Sequence, residues 1–555
     1  MLLIFSLTLL LVLLITPWLL ARNLLPRADL VATLAMAGAC LVVLAVGGTL
    51  LLHYSRIPIT AASLSTVHGS LALVLTLITK LRSIPFRPPP PLPSSAFFGM
   101  ILLFAILVLP FTPIAGIDTY KWQDLATVVQ VDHSIPWLIH PISLLGFTPR
   151  SYSSAQPLVL ATISIIGNTG VDWSFYILSL LFGITALAAT TMLGRHLFPC
   201  TPTSATWMAF FYVFSPVFLR YNYWATGRGL FMVLLPFFVL ALLKVNRLPG
   251  ALAAVAMAPL LTISHRTGLV AIAVIPLAFL AGLVSYRLPL IGENRRWRFI
   301  LPSLLLLLAL AVGFSIVNHS PTQAAYRLVT RLAFLFPLAV VGSILIPSPI
   351  RITQAMHSMM LTALATLPLV FTEHMYGSLI AALFISALAS LGLAALTTRL
   401  TLADQQRLHH ATLALTLLTA LIIITNQAID SPSRDVVRAA RFLERHDPLG
   451  PFRVEAPGLN RTRMQAYLSG CPRFSATASP QSTVKVNQPP PSTGNLRDDI
   501  RNLSDYLRRA LTLSDSSTDW YGNTKKVYYV TISGKGMKPS NATLLFSSGN
   551  VSVYE

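Results

Sequence analysis

The chain has 555 residues, of which 54% are hydrophobic and only 11% charged, with a mean hydropathy of +0.68 and a formal net charge of +21. About a quarter of the residues of an ordinary soluble protein are charged, so this composition excludes one. The positive balance is dispersed between apolar runs, which reads as loop charge beside a membrane and not as a nucleic-acid surface.

The first run, LLIFSLTLLLVLLITPWLL, lacks a basic leader and an A-x-A-like cleavage site, and reads as a retained span. Further runs compatible with crossing a bilayer follow at 29–53, 60–79, 96–113, 174–194, 203–219, 228–243, 250–264, 267–285, 299–317, 332–347, 354–371, 377–397 and 411–426, about fourteen spans in all. The Pro-rich RPPPPLP (87–93) separates three leading spans, 1–95, from a membrane core at 96–426. Between 114 and 172 the chain leaves the membrane. Within that excursion PLVLATISIIG (157–167) is apolar but too short to cross, and is expected to form a helix lying in the interface. Lys and Arg favour the connections on one side, with ENRRWR (293–298) the strongest cluster. The positive-inside rule makes that side cytoplasmic and puts 114–172 outside.

The tail, 427–555, is richer in charge. Ser431-Pro432-Ser433 ahead of RDVVRAARFLERH reads as a helix start, with Asp435 in the first turn. KKVYYVTI (525–532) and ATLLFSSGNVSVYE (542–555) read as strands, and NQPPPSTG (487–494) as a loop. An even number of spans puts this small α/β domain on the extracytoplasmic side, and sequons at Asn460, Asn502, Asn541 and Asn550 agree. The expected fold is thus an α-helical multi-span protein of the cell membrane with an extracytoplasmic α/β domain. Cys40, Cys200 and Cys471 are far apart and suggest neither a disulfide framework nor a metal-ligand spacing.

Carboxylates are scarce ahead of residue 427, yet Asp118, Asp124 and Asp132 all fall in PFTPIAGIDTYKWQDLATVVQVDHSIPW (110–137). Asp172 and Glu373 share the outer side with them. The outer cations near span ends are Arg220, Arg228, Arg266, Arg327 and Arg331, with His265 and His374 beside them. Ionisable groups at membrane depth are costly and read as functional by default. Arginine forks match phosphate oxygens, and a placed carboxylate can take a proton from a hydroxyl. Bland roles compete with each. Asp118 suits a helix N-cap, and Asp124 a solvated helix face. Asp132, next to His133, suits a loop hydrogen bond, with a second acid or divalent-metal ligand as the alternative. Arg220 and Arg228 flank YNYWATG, where phosphate contact and interfacial anchoring are both open. His265 and Arg266 sit in SHRTG between two spans, facing either water or a pocket. Arg327 and Arg331 are one helical turn apart and share a face. Glu373 and His374 lie in a short outer loop, FTEH.

The stretches GIDTYKW (116–122), QPLVLATISIIG (156–167) and LGRHLF (193–198), in that order, resemble the GT-C glycosyltransferases, the multi-span class that uses polyprenyl-phosphate sugars. SPVFLRYNYWATGRGLFMVLLPFF (215–238) is similar to a stretch in archaeal members. The resemblance covers roughly 96–426 in architecture; the three leading spans are extra. Thr119 follows Asp118, so the adjacent acidic pair of several O-mannosyltransferases is missing, as is the WWDYG motif of oligosaccharyltransferases. The resemblance implies transfer of a sugar from a polyprenyl (dolichyl-type) phosphate to a glycan, lipid or protein hydroxyl. It implies Asp118 as general base, with Arg220, Arg228, Arg266, Arg327 and Arg331 around the lipid phosphate and His265, Glu373 and His374 in the same site. The rival class is a transporter or flippase of such a lipid, whose marks are inverted repeats and broken helices with ionisable groups near the midplane. No internal repeat is visible and the ionisable groups collect at outer span ends, which favours the enzyme.

Overall fold

The computed structural model describes residues 2–25, 28–81, 95–109, 117–135, 137–138, 141–145, 153–199, 201–223, 225–287, 330–344, 353–372, 374–428, 434–446, 452–455, 526–532, 542–548 and 551–554. Helices α1 (Leu2–Leu24), α2 (Leu30–Tyr54) and α3 (Ala61–Leu81) pack on one another. Next come α4 (Ser95–Val108), α5 (Ile117–Asp132), α6 (Ala155–Gly167) and α7 (Val171–Leu197). Then follow α8 (Pro202–Val213), α9 (Pro216–Tyr223), α10 (Gly227–Leu243), α11 (Leu248–Ser264) and α12 (Thr267–Arg287). Beyond the undescribed stretch, α13 (Leu335–Ile344), α14 (Gln354–Thr372), α15 (His374–Thr397) and α16 (Leu402–Ala428) complete the bundle.

Among the described residues six helical segments are long and apolar enough to cross a membrane: Leu30–Tyr54, Ala61–Ile78, Trp173–Leu197, Thr267–Tyr286, Tyr376–Thr397 and Leu402–Thr425. Four shorter apolar helices, α4, α6, α10 and α11, accompany them. Large apolar side chains such as Leu252, Val255, Leu277, Leu280 and Ile422 face outward. Water would penalise such a surface, whereas hydrocarbon does not. The chain is therefore a mostly helical membrane protein.

Several expected boundaries change. The run 203–219 is two helices, not one span, because Ser215 and Pro216 divide it. Pro216 has no N–H to donate and starts α9. Ser215 Oγ accepts from the Phe218 N–H at 3.2 Å and donates to the Tyr212 carbonyl at 2.7 Å, which closes one helix and opens the next. Among the described residues of the run 332–347, α13 has ten, too few to cross alone. The expected span 299–317, the Pro-rich linker, the loop 487–494 and the asparagines of the four sequons lie outside the described residues.

The segment expected at the interface is helical, but every residue of α6 is buried. It packs against α1, α2, α3, α5, α7, α10 and α11. An interfacial helix needs a polar face for water, and AQPLVLATISIIG has none broad enough. The leading helices are thus packed onto α6 and α7; at the far end of α2, the N-cap Asp29 accepts from the Ala32 N–H at 2.8 Å and pairs with Arg195 of α7. Two glycines let α13 and α15 touch backbone to backbone. A Cβ on Gly392 would lie 2.1 Å from the Leu338 carbonyl, and one on Gly342 would lie 2.2 Å from that of Leu388.

In the tail, α17 (Arg434–His446) and strands β1 (Phe452–Glu455), β2 (Lys526–Ile532), β3 (Leu544–Ser548) and β4 (Val551–Tyr554) form an α/β unit. The sheet order is β1-β2-β4-β3, parallel between β1 and β2 and antiparallel elsewhere. The run expected as one strand, 542–555, is the pair β3 and β4. The Gly549-Asn550 sequence between them has hairpin-turn chemistry. Val436, Ala439, Ala440 and Leu443 of α17 are buried, and Phe442 stacks on Phe546 with centroids 4.7 Å apart. Strand β1 had no sequence signal, because FRVE is too short for alternation to register.

Candidate functional site

The site is built where the α9–α10 turn meets the α11–α12 turn. After Tyr223 the chain turns sharply, with Ala225 at φ 40°, a left-handed conformation that L-residues adopt at a cost of roughly 1–2 kcal/mol. The buried Gln156 of α6 holds this strained residue by donating its Nε2–H to the Ala225 carbonyl. Thr226 then caps α10, accepting from the Gly229 N–H at 3.4 Å. Asn222 anchors the preceding turn to α7: its Nδ2–H donates to the Ser179 carbonyl at 3.1 Å, and Ser179 Oγ donates to the Asn222 carbonyl at 3.0 Å. Gly227 is the contact point. A Cβ there would lie 2.5 Å from the Ser264 carbonyl of α11 and 3.2 Å from the Trp122 ring of α5.

The two turns therefore converge with α5, α6 and α7, and they bring cations with them. The Arg228 guanidinium lies over the Tyr221 ring, 5.2 Å from its centroid. Arg331 Nη1 donates to the same tyrosine's Oη at 3.2 Å. Arg266 Nε donates to Tyr376 Oη at 2.9 Å, its guanidinium 5.0 Å from that ring's centroid. His265 fills the space between, its ring 5.3 Å from Tyr376. Its Nδ1 accepts from the Thr267 N–H at 3.2 Å and lies 2.7 Å from Thr267 Oγ1, which places the ring proton of the neutral form on Nε2. Burial, reinforced by the charges of Arg228 and Arg266, holds this imidazole well below the usual histidine range. Helices α10, α12 and α15 all begin here, but each is preceded by the end of another helix, so their dipoles largely offset. The guanidiniums carry the field.

His265 gives a testable pH effect. Its folded pKa is below the unfolded value, so the unfolded chain takes up the extra proton as pH falls. The His265 contribution to native stability should be flat above about pH 6.5 and decline below it. Thermal denaturation across that range checks this; His265→Gln should make the decline shallower by the share of this one histidine, and an unchanged profile would count against it.

The sequence-predicted residues divide into groups. Arg228, Arg266, Arg331 and His265 are brought together. Arg220 is half-buried on α9, one position before Tyr221. Asp118 lies in the first turn of α5, one residue inside the helix and not at the N-cap position, and an acid there suits the helix dipole. It precedes Trp122, the residue touching Gly227, by one helical turn. Asp132 ends the same helix, roughly 21 Å along the axis from Asp118 at 1.5 Å per residue. It cannot share a reacting centre with Asp118. Its end of α5 is tied instead to the last turn of α2 and the segment after it: His133 Nδ1–H donates to the Ile59 carbonyl at 3.2 Å, and the Ile135 N–H donates to His53 Nδ1 at 3.3 Å. Asp124 is six residues beyond Asp118, on a different face of α5 by helical register. His374 is the first residue of α15, not a loop residue. Arg327 and Glu373 lie outside the described residues, as do the side chains of Asp118, Asp124 and His374.

Sequence reading missed Tyr221, Tyr376, Trp122 and Gln156. Tyr221 directly follows Arg220 and Tyr376 lies two residues after His374, so proximity to the cations was the available signal. Among the described residues no three His, Cys, Asp or Glu side chains gather as a metal site. Fold and site together define a helical membrane protein with a cationic, tyrosine-lined cluster suited to an anionic group. No family model, curated protein or solved structure matches the chain.

Proposed function

We propose that the chain is a membrane glycosyltransferase that moves a sugar from a polyprenyl (dolichyl-type) phosphate to an acceptor hydroxyl on the extracytoplasmic face. The observation that carries this reading is the gathering of Arg228, Arg266 and Arg331 around Tyr221, Tyr376 and a neutral His265. Such a cluster suits the phosphate of a lipid whose tail remains in hydrocarbon. Asp118 takes the acceptor O–H proton while the acceptor oxygen bonds to the anomeric carbon. The bond from that carbon to the phosphate oxygen breaks, and the polyprenyl phosphate leaves with the electron pair. The arginines stabilise its growing charge, an effect that is large where water is excluded. A single displacement inverts the anomeric centre. In this reading 96–426 is the catalytic core of a protein with about fourteen spans. Residues 1–95 are additional spans packed onto it, and 427–555 is an extracytoplasmic domain.

Binding of a radiolabelled polyprenyl phosphate to the chain in nanodiscs tests the site. Arg228→Gln and Arg266→Gln should each weaken binding by at least about tenfold, as expected for a charge-assisted hydrogen bond. Unchanged affinity in both would remove the cluster from lipid recognition. A second reading, transport of the lipid, draws support from the α8–α9 break and the fully buried short helix α6, since broken helices line transporter sites. The two separate in proteoliposomes. The enzyme yields glycosylated acceptor without net lipid movement, and the transporter moves lipid without acceptor.

A further inference from the structure

The charge on α17 is not spread evenly. Arg434, Arg438, Arg441 and Arg445 recur at intervals of four, three and four residues, which at 3.6 residues per turn confines them to an arc of roughly 60°. The opposite face holds Val436, Ala439, Ala440 and Leu443, all buried against β3 and β4. Phe442 is turned onto Phe546, so no aromatic residue stands on the arginine ridge. Arg438, Arg441 and Arg445 are exposed. Arg438 pairs with Asp435 at 3.7 Å. Like charges at i, i+4 and i, i+3 disfavour a helix, so the ridge is costly to local stability.

Its position in the chain says what can balance it. α16 contains the candidate span Leu402–Thr425 and ends at Ala428; α17 starts at Arg434. Six residues of chain reach at most roughly 22 Å. The ridge therefore begins close to where a spanning helix leaves the hydrocarbon, with the packed sheet on its other side. We propose that this ridge is a membrane-surface contact that binds the anionic headgroups of the leaflet from which α16 emerges. With no apolar residue on the ridge, the contact is electrostatic, without insertion, and weakens with salt.

The test uses the full chain in nanodiscs of phosphatidylcholine, with or without phosphatidylglycerol. Phenylglyoxal modification at Arg438, Arg441 and Arg445 is followed by peptide mass spectrometry. Modification should slow several-fold in the anionic discs at low salt and recover at high salt. Equal rates in the two lipid compositions would overturn the proposal. So would slow modification in both, which would mean that protein covers the ridge. If lipid composition has no effect but soluble polyglutamate protects the arginines, the partner is an acidic polymer and the leaflet contact is wrong.

Discussion

Asp118→Asn is expected to lower sugar transfer by about 10²–10⁴-fold while polyprenyl-phosphate binding stays within a few-fold of the native chain. The substitution keeps the shape of the side chain and removes its charge and its ability to take a proton. The arginines proposed to hold the phosphate belong to other elements and are untouched. Helix register sharpens the test: Asp118 is one turn from the Trp122–Gly227 contact, whereas Asp132 is at the far end of α5. Asp132→Asn should therefore leave transfer nearly unchanged. Single-turnover assays with radiolabelled donor, run beside binding measurements, give both numbers. Equal transfer by Asp118→Asn and native chain would exclude Asp118 as the base; a large loss in Asp132→Asn would overturn the spatial assignment along α5.

Gly227→Val is expected to abolish lipid binding and transfer together and to lower the denaturation temperature. The added Cβ would sit 2.5 Å from a backbone carbonyl, and the next neighbour is the Trp122 ring. Neither is the flexible end of a side chain. Overpacking of this kind typically costs 1–3 kcal/mol or more, and here the required shift separates the two turns that hold Arg228 and Arg266. Gly47→Ala in α2 is the control. Nothing lies within 4 Å of a Cβ at that position, and alanine is the better helix former by about 1 kcal/mol. It should be neutral or stabilising. A Gly227→Val protein with native melting behaviour and affinity would show that this contact does not organise the site.

Much of the helical framework was legible because bilayer-length apolar runs are hard to mistake. α2, α3, α7, α12 and α15 lie within a few residues of their expected limits. The tail helix was legible from Ser-Pro-Ser followed by a strongly periodic pattern, and α17 runs over Arg434–His446 as expected. Errors arose where a break leaves no mark in hydropathy. Pro216 splits an apolar run whose hydropathy is unbroken, and the run 542–555 holds two paired strands, β3 and β4. The candidate cations were visible as scarce charges near span ends, but their grouping was not. Tyr221 and Tyr376 join residues 110 positions apart in each case, Arg331 to Tyr221 and Arg266 to Tyr376.

Sequence alone determined that this is a helical membrane protein, where most of its helices run, and which few ionisable residues its membrane part contains. Tertiary structure alone decided that α6 is enclosed and not at a surface, that Asp118 and Asp132 are at opposite ends of one helix, and that Arg228, Arg266, Arg331 and His265 meet. The reason is physical. In hydrocarbon, a side chain facing lipid and one facing another helix have the same polarity, so composition records removal from water without recording the neighbour. Neighbours are chosen by close packing, through contacts such as Gly227 on Ser264 and Gly392 on Leu338, and by hydrogen bonds that no periodicity encodes.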